Sequence, residues 1–223
     1  MTSQRQSVVT LERFQQGKSW KEWQESNEVN RDKFLENYDA TTLSVEEVAV
    51  IKQLIAMPRG PNVWGVGRHA PARVLALVEP WCPDVYRGLP VMARLCEATS
   101  LELRIFLRDQ NLDIMQEFLN KDEFQSIPTF VFYTVAHEYL THWIEKPIKA
   151  REEDEPYVSI VSALDSIVPE ERQKIAGELA AFERGPIWAG WRQAQVRETR
   201  LILQTSLERA ARLEDLLDMT MND

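Results

Sequence analysis

One cysteine in this chain lies in a sequence that could carry thiol chemistry. It is Cys82, in the run Trp81-Cys82-Pro83-Asp84, which follows the apolar segment Val74–Val78 and precedes residues at helical spacing. A cysteine at the start of a helix lies close to unpaired backbone N–H groups and to the positive end of the helix dipole, and both favour thiolate over thiol. Because the thiolate is the nucleophile in thiol–disulfide exchange, we predict Cys82 to be the catalytic residue of a redox site.

Two neighbours of Cys82 weaken this prediction. Val85 stands three residues after Cys82, where a Cys-x-x-Cys motif has its second thiol, so a two-thiol cycle is excluded at this site. Asp84 adds a negative charge beside the thiol and opposes its ionisation. A reactive single thiol and an inert cysteine therefore both stay open.

The second cysteine, Cys96, is interpreted as a small core residue, because it shares the apolar side of its helix with Met92 and Leu95. A helix rises ~1.5 Å per residue, which places Cys82 and Cys96 ~20 Å apart. A disulfide requires a Cα separation below ~7 Å. We expect no disulfide between these two cysteines while the helix is intact.

The elements around Cys82 predict an α/β fold. Val74–Val78 is a continuous apolar run, typical of a strand buried on both faces. The helix after Cys82 extends to Thr99-Ser100, and Leu101–Leu107 alternates as a second strand would. The order of strand, helix and strand implies a parallel crossover.

A short helix and a hairpin are predicted next along the chain. Leu112–Leu119 has helical spacing, and Ile127-Pro128-Thr129 then leads into the apolar run Phe130–Tyr133. After a turn, Tyr139–Ile144 has the composition of a strand. The last two runs predict a β-hairpin that closes the sheet.

Helical patterns flank this α/β segment on both sides. We predict two short helices between Leu11 and Tyr38, and a third that starts with the capping pair Ser44 and Glu47 and ends at Pro58–Pro61. A helix-rich tail follows Pro147 and is divided by Gly185-Pro186. The predicted organisation is an N-terminal helical extension (1–57), a central domain (58–149) and a C-terminal helical extension (150–223).

The order of elements and motifs resembles the thioredoxin superfamily, and specifically the bacterial thioredoxin-like proteins that carry helical extensions. The resemblance covers about residues 63–149. The motifs that carry it are Trp81-Cys82-Pro83-Asp84, Pro90, Ile127-Pro128-Thr129 and Trp143–Pro147. It implies a thioredoxin-like α/β fold with a central mixed sheet of four or five strands, flanking helices on both faces, and a cis Ile127-Pro128 peptide bond beside Cys82.

The resemblance also implies a function and a substrate site. Substrate would dock along Ile127, Pro128 and Thr129 and contact Trp81, Pro83 and Asp84. The implied function is monothiol thiol–disulfide exchange, in which Cys82 forms a mixed disulfide with a protein or low-molecular-weight thiol and an external thiol releases the adduct. The alternative is a non-catalytic interaction module that keeps the docking groove and uses the helical extensions to hold a partner.

Composition and charge restrict the other function classes. The net charge of −9 and the lack of a basic cluster disfavour nucleic acid as a partner. No run approaches the ~20 apolar residues that span a bilayer, so we expect a cytoplasmic protein without a membrane partner. Two cysteines are too few for a disulfide scaffold.

Other patterns predict no cofactor and no metal. His137 and His142 lack a third ligand at a recognisable spacing, and we interpret them as surface residues. Gly65-x-Gly67 lacks the third glycine of a dinucleotide-binding loop. Four tryptophans in the extensions are interpreted as packing anchors: Trp20, Trp23, Trp188 and Trp191. The extensions are expected to pack on the core or on a second subunit, and the second arrangement would be a homodimer.

Overall fold

The computed structural model describes residues 7–56, 69–165 and 169–221, and in these ranges it has four strands and ten α-helices. The strands are β1 (Pro71–Val78), β2 (Glu102–Leu107), β3 (Thr129–Thr134) and β4 (Tyr139–Ile144). The helices are α1 (Leu11–Gln15), α2 (Trp20–Ser26), α3 (Arg31–Asp39), α4 (Val45–Ile55), α5 (Pro83–Thr99), α6 (Leu112–Met115), α7 (Ile148–Glu153), α8 (Glu155–Asp165), α9 (Pro169–Glu183) and α10 (Pro186–Met221).

The four strands form one mixed sheet in the order β2-β1-β3-β4. Strands β1 and β2 are parallel and joined through α5, which confirms the predicted crossover. Strand β3 is antiparallel to both β1 and β4, so the predicted hairpin is also confirmed. The α/β fold with a central mixed sheet and flanking helices is therefore the fold of this chain.

Strand β1 supplies both hydrophobic cores because side chains alternate across a strand. Val74 and Ala76 face the larger core, which lies on the side of α5 and α10. Leu75 and Leu77 face the smaller core, which includes Phe14 from α1 and residues of α6. All four of these β1 residues are fully buried, as the continuous apolar run predicted.

The helical extensions are part of the larger core. Trp20 and Trp23 from α2, and Trp188 and Trp191 from α10, are each at least nine-tenths buried in it. Their interpretation as packing anchors is confirmed. As predicted, the tail is divided at Gly185-Pro186, since α9 ends at Glu183 and α10 begins at Pro186.

Two predictions about helices are corrected by the structure. The segment from Leu11 to Tyr38 has three helices instead of two, because the breaks at Gly17 and Ser26-Asn27 each end one. The helix predicted over Leu112–Leu119 ends at Met115, and turns occupy the residues after it. Helix α4 starts as predicted, with the Ser44 hydroxyl accepting the Glu47 N–H.

Some sequence features lie outside the described residues. These are the Pro58–Pro61 cluster, the proposed boundary between residues 57 and 58, and Gly65-x-Gly67. Within the described ranges, no helix is both long and apolar enough to cross a membrane.

Candidate functional site

Cys82 lies where strand β1 has ended and helix α5 begins. It is the residue before the first helical position, its carbonyl accepts the N–H groups of Val85 and Tyr86, and Pro83 occupies the first turn. Proline suits that position because the first N–H groups of a helix have no partner within the helix. The strand and the rigid first turn together place the half-buried thiol at the end of the sheet.

The predicted proline loop lies against this thiol. The Ile127-Pro128 peptide bond is cis, and the Ile127 carbonyl oxygen is 3.9 Å from Cys82 Sγ. Both predictions for this loop are therefore confirmed. The contact brings residues 45 positions apart in the sequence to one site.

Burial is the largest influence on the Cys82 thiol, and it raises the pKa. The Val85 N–H lowers this pKa, the Asp84 carboxylate raises it, and the Asp84 N–H and the Arg87 guanidinium lower it. The net pKa is raised, because removing a thiolate from water costs more than the helix end returns. The helix terminus, on which the sequence argument depended, is thus outweighed.

The raised pKa makes a testable prediction for the folded protein. We expect the alkylation rate of Cys82 to have its pH midpoint above the ~8.5 of an unperturbed thiol. Below that midpoint the thiolate fraction is smaller, so at neutral pH the folded protein should react more slowly than the urea-unfolded chain. Iodoacetamide labelling followed by mass spectrometry of the Cys82 peptide measures both rates. A lower midpoint in the folded state would contradict the dominance of burial.

Trp81 is the most exposed part of the predicted site. Its side chain is 54% exposed, and the Arg108 guanidinium carbon lies 5.6 Å from the ring centre. Arg108 also pairs with Asp109 and donates to the carbonyl of Gln125, 3.3 Å away. The arginine therefore connects the Trp81 turn to the segment that precedes the cis proline.

The other predicted substrate-binding residues differ in accessibility. Pro83 and Asp84 are half-buried, and the Asp84 carboxylate is paired with Arg87. Ile127, Pro128 and Thr129 are buried, and the Thr129 hydroxyl donates to the Ser126 carbonyl. The proline loop is thus brought to Cys82, while the Thr129 side chain shapes the loop from inside.

Helix α5 approaches both the proline loop and α10 at Gly88, a residue that sequence reasoning missed. A Cβ at Gly88 would lie 3.0 Å from Gln195 Oε1 and 3.4 Å from Pro128 Cγ. The buried Gln195 side chain donates to the Gly88 carbonyl at 2.9 Å. The sequence did contain a signal for this close approach. A glycine inside a helix lowers helix stability, so its presence in the predicted helix indicates a position where a larger side chain does not fit.

Arg87 is the second residue that was missed. It is fully buried beside the first turn of α5, and it pairs with Asp84. Opposite charges three residues apart on a helix were visible in the sequence. The burial of the arginine was not, since it depends on α10.

The second cysteine and the two histidines singled out in the sequence have contacts within the fold. Cys96 is buried in the core, which confirms its interpretation, and burial raises its pKa well above the usual range. His137 donates from Nε2 to the Val9 carbonyl and stacks on Tyr133, and His142 forms a hydrogen bond with the Tyr139 hydroxyl. The described residues contain no group of three or more side chains placed to hold a metal ion.

The strand order, the Cys82 turn and the proline loop beside it define a thioredoxin-like fold. A family model described as thioredoxin matches residues 64–156. This segment contains the whole four-stranded sheet, the Cys82 turn and the proline loop.

Two solved structures are similar to this chain over nearly its whole length. One is a protein of unknown function from Pseudomonas aeruginosa, with 15% sequence identity, a TM-score of 0.59, and coverage of 90% of this chain and 99% of that one. The other is an HIV epitope-scaffold, with 15% identity, a TM-score of 0.56 and the same coverage. At this identity they support the fold alone. No curated protein matches the chain.

Proposed function

We propose that this protein carries out monothiol thiol–disulfide exchange through Cys82. The observation that carries the proposal is the position of the half-buried thiol at the start of α5, 3.9 Å from the carbonyl that precedes the cis proline. The site thus combines a sulfur that can attack, an exposed tryptophan and the proline loop, which together could capture a disulfide. The match of residues 64–156 to the thioredoxin family model supports the proposal of a thiol exchange site.

The proposed reaction needs one protein sulfur and an external thiol. Cys82 loses its proton to solvent, and the thiolate attacks one sulfur of a disulfide. The Cys82–substrate bond forms, the old S–S bond breaks, and the second substrate sulfur leaves as a thiolate and takes up a proton. The thiolate of a low-molecular-weight thiol then attacks the substrate sulfur of the mixed disulfide. A disulfide between that thiol and the substrate forms, the Cys82–substrate bond breaks, and Cys82 leaves as a thiolate and takes up a proton.

The raised pKa of Cys82 affects both steps. A smaller thiolate fraction slows the attack, and a thiol of high pKa is a poor leaving group when the adduct is attacked in turn. With Val85 at the position where a second cysteine would resolve the bond, the mixed disulfide persists until an external thiol arrives. We therefore expect slow exchange with a long-lived adduct.

Reaction with hydroxyethyl disulfide tests the proposal. Incubation of the folded chain at pH 8 should add one hydroxyethylthio group at Cys82, and an added monothiol should remove it. Cys96 should remain unmodified because it is buried. Cys82→Ser is the matched variant and should form no adduct. If the wild-type protein stays unmodified while folded, the exchange function is rejected.

A second candidate function is a non-catalytic interaction module. The burial that raises the Cys82 pKa, and a fully buried Val85 at the resolving position, favour it. In this case the exposed Trp81, the proline loop and the helical extensions would hold a partner without a covalent bond.

Two substitutions separate the candidates once a partner is in hand. For an interaction module, Cys82→Ser should leave the partner's dissociation constant unchanged, while Trp81→Ala should weaken binding. For an exchange protein, Cys82→Ser should abolish the covalent complex seen on non-reducing gels.

A further inference from the structure

The first turn of α5 holds a buried charge next to the thiol site. The Arg87 side chain is 1% exposed, and its Nη1 lies 2.6 Å from Asp84 Oδ1. The Asp84 side chain is 23% exposed. The pair therefore has its arginine in the interior and its carboxylate near the surface, beside Cys82. The contact is an ion pair between a buried guanidinium and a partly exposed carboxylate.

The C-terminal helix α10 holds Arg87 from the other side. The guanidinium carbon lies 5.3 Å from the Trp188 ring centre and 5.6 Å from that of Trp191, and both rings are 1% exposed. Nε and Nη2 of Arg87 have no hydrogen-bond partner within the described residues. The buried charge is therefore stabilised by one carboxylate and two aromatic faces.

No further carboxylate among the described residues pairs with Arg87. On α10, Arg192 interacts with Arg87 as a like charge, and burial together with the Arg87 charge lowers the pKa of Arg192. Arg192 donates to the neutral Asn37 side chain. Asp84 is therefore the carboxylate that pairs with Arg87 among the described residues.

Both charges of the pair act on Cys82, in opposite directions. Asp84 opposes the thiolate and Arg87 favours it, and both belong to α5. On neighbouring segments, Tyr157 of α8 interacts with both charges of the pair, and the other charged groups have partners of their own. Glu79 accepts the Asp109 N–H, and Arg108 pairs with the Asp109 carboxylate.

We infer that the Asp84–Arg87 pair, held by α10, controls the reactivity of Cys82, so that the C-terminal extension regulates the thiol site. With the pair intact, the two charges oppose each other at the sulfur. Loss of either charge leaves the other to act alone. The biological use of this control rests on the proposed exchange function, whereas the control itself can be measured with any thiol reagent.

The test is the pH dependence of Cys82 alkylation in the full-length chain. Arg87→Met should raise the midpoint and slow the reaction at pH 7.5 by about 3- to 10-fold, and Asp84→Asn should lower the midpoint and speed the reaction by a similar factor. The opposite signs are the decisive feature. General loosening of the site would expose the thiol in both variants and speed both reactions.

Three further variants complete the experiment. Arg87→Lys keeps the charge and should stay near the wild-type midpoint. Arg94→Met is the control. Arg94 also belongs to α5, but it lies twelve residues after Cys82 and stacks on Tyr38 of α3, so its loss should leave the midpoint unchanged. Trp191→Leu removes one aromatic face and should move the midpoint in the direction of Arg87→Met if α10 holds the pair.

The outcomes separate this inference from the proposed function. Equal midpoints, or shifts of the same sign, in folded Arg87→Met and Asp84→Asn would overturn the control by the pair. An unchanged midpoint in Trp191→Leu would overturn the role of α10. Should Arg87→Met fail to fold, Asp84→Asn and Trp191→Leu decide together, and the absence of opposite shifts in their midpoints rejects the inference. Failure to form the hydroxyethylthio adduct would reject the exchange function and leave the inference standing.

Discussion

Replacing Trp188 with alanine should lower the free energy of unfolding by about 3–5 kcal/mol, the range for deletion of a large buried aromatic side chain. Trp188 is 1% exposed, lies 5.3 Å from Trp191 between ring centres, and donates from Nε1 to Asn37 at 2.9 Å. The substitution leaves a cavity in the larger core and removes an aromatic face from the buried Arg87 charge. Urea unfolding followed by circular dichroism measures the loss.

Trp81→Ala is the matched control, because it removes the same side chain from an exposed position. We expect its effect to remain within about 0.5 kcal/mol, as for most surface substitutions. Similar small losses for Trp188→Ala and Trp81→Ala would show that α10 contributes little to the core. A large loss at Trp188 alone means that the C-terminal extension and the sheet unfold together.

Replacing Gly88 with valine is expected to cost about 1–3 kcal/mol through overpacking, with a further loss from the broken Gln195 hydrogen bond. A Cβ at this position would already lie 3.0 Å from Gln195 Oε1 and 3.4 Å from Pro128 Cγ, and valine adds two methyl groups. The helix, the proline loop and α10 would have to separate. The free energy of unfolding and the alkylation rate of Cys82 should both change.

Gly177→Val provides the comparison, because Gly177 lies inside helix α9 with nothing within 4 Å of a new Cβ. Valine has a slightly better helix propensity than glycine, so this variant should be neutral or stabilised by a few tenths of a kcal/mol. If both variants behave alike, the close approach at Gly88 is not a constraint on the fold.

The strands and their connections could be predicted from the sequence because each depends on a short, periodic pattern. The run Val74–Val78 predicted a strand buried on both faces, and the runs at Phe130–Tyr133 and Tyr139–Ile144 predicted the hairpin. The N-terminal segment was harder. Three helices of five, seven and nine residues are too short for periodicity alone to count them.

At the site, the sequence predicted which residues meet, and the structure decided how strongly each acts. The resemblance carried by the Trp-Cys-Pro-Asp and Ile-Pro-Thr motifs predicted that Cys82 and Pro128 are neighbours. The sequence also contained both opposing influences on the thiol, the helix end and Asp84. Burial, which outweighs them, depends on how the proline loop and the helices cover the sulfur.

The sequence by itself determined the α/β order, the position of the thiol at the start of a helix and the absence of a second cysteine three residues later, since all three are properties of neighbouring residues. Only the tertiary structure decided that Arg87 is buried against Trp188 and Trp191, about 100 positions away along the chain. The burial of a charge depends on long-range packing, and a pattern of adjacent residues contains no measure of it. For this reason the proposed electrostatic control of Cys82 follows from the packing of α10 on Arg87 and not from the sequence around the cysteine.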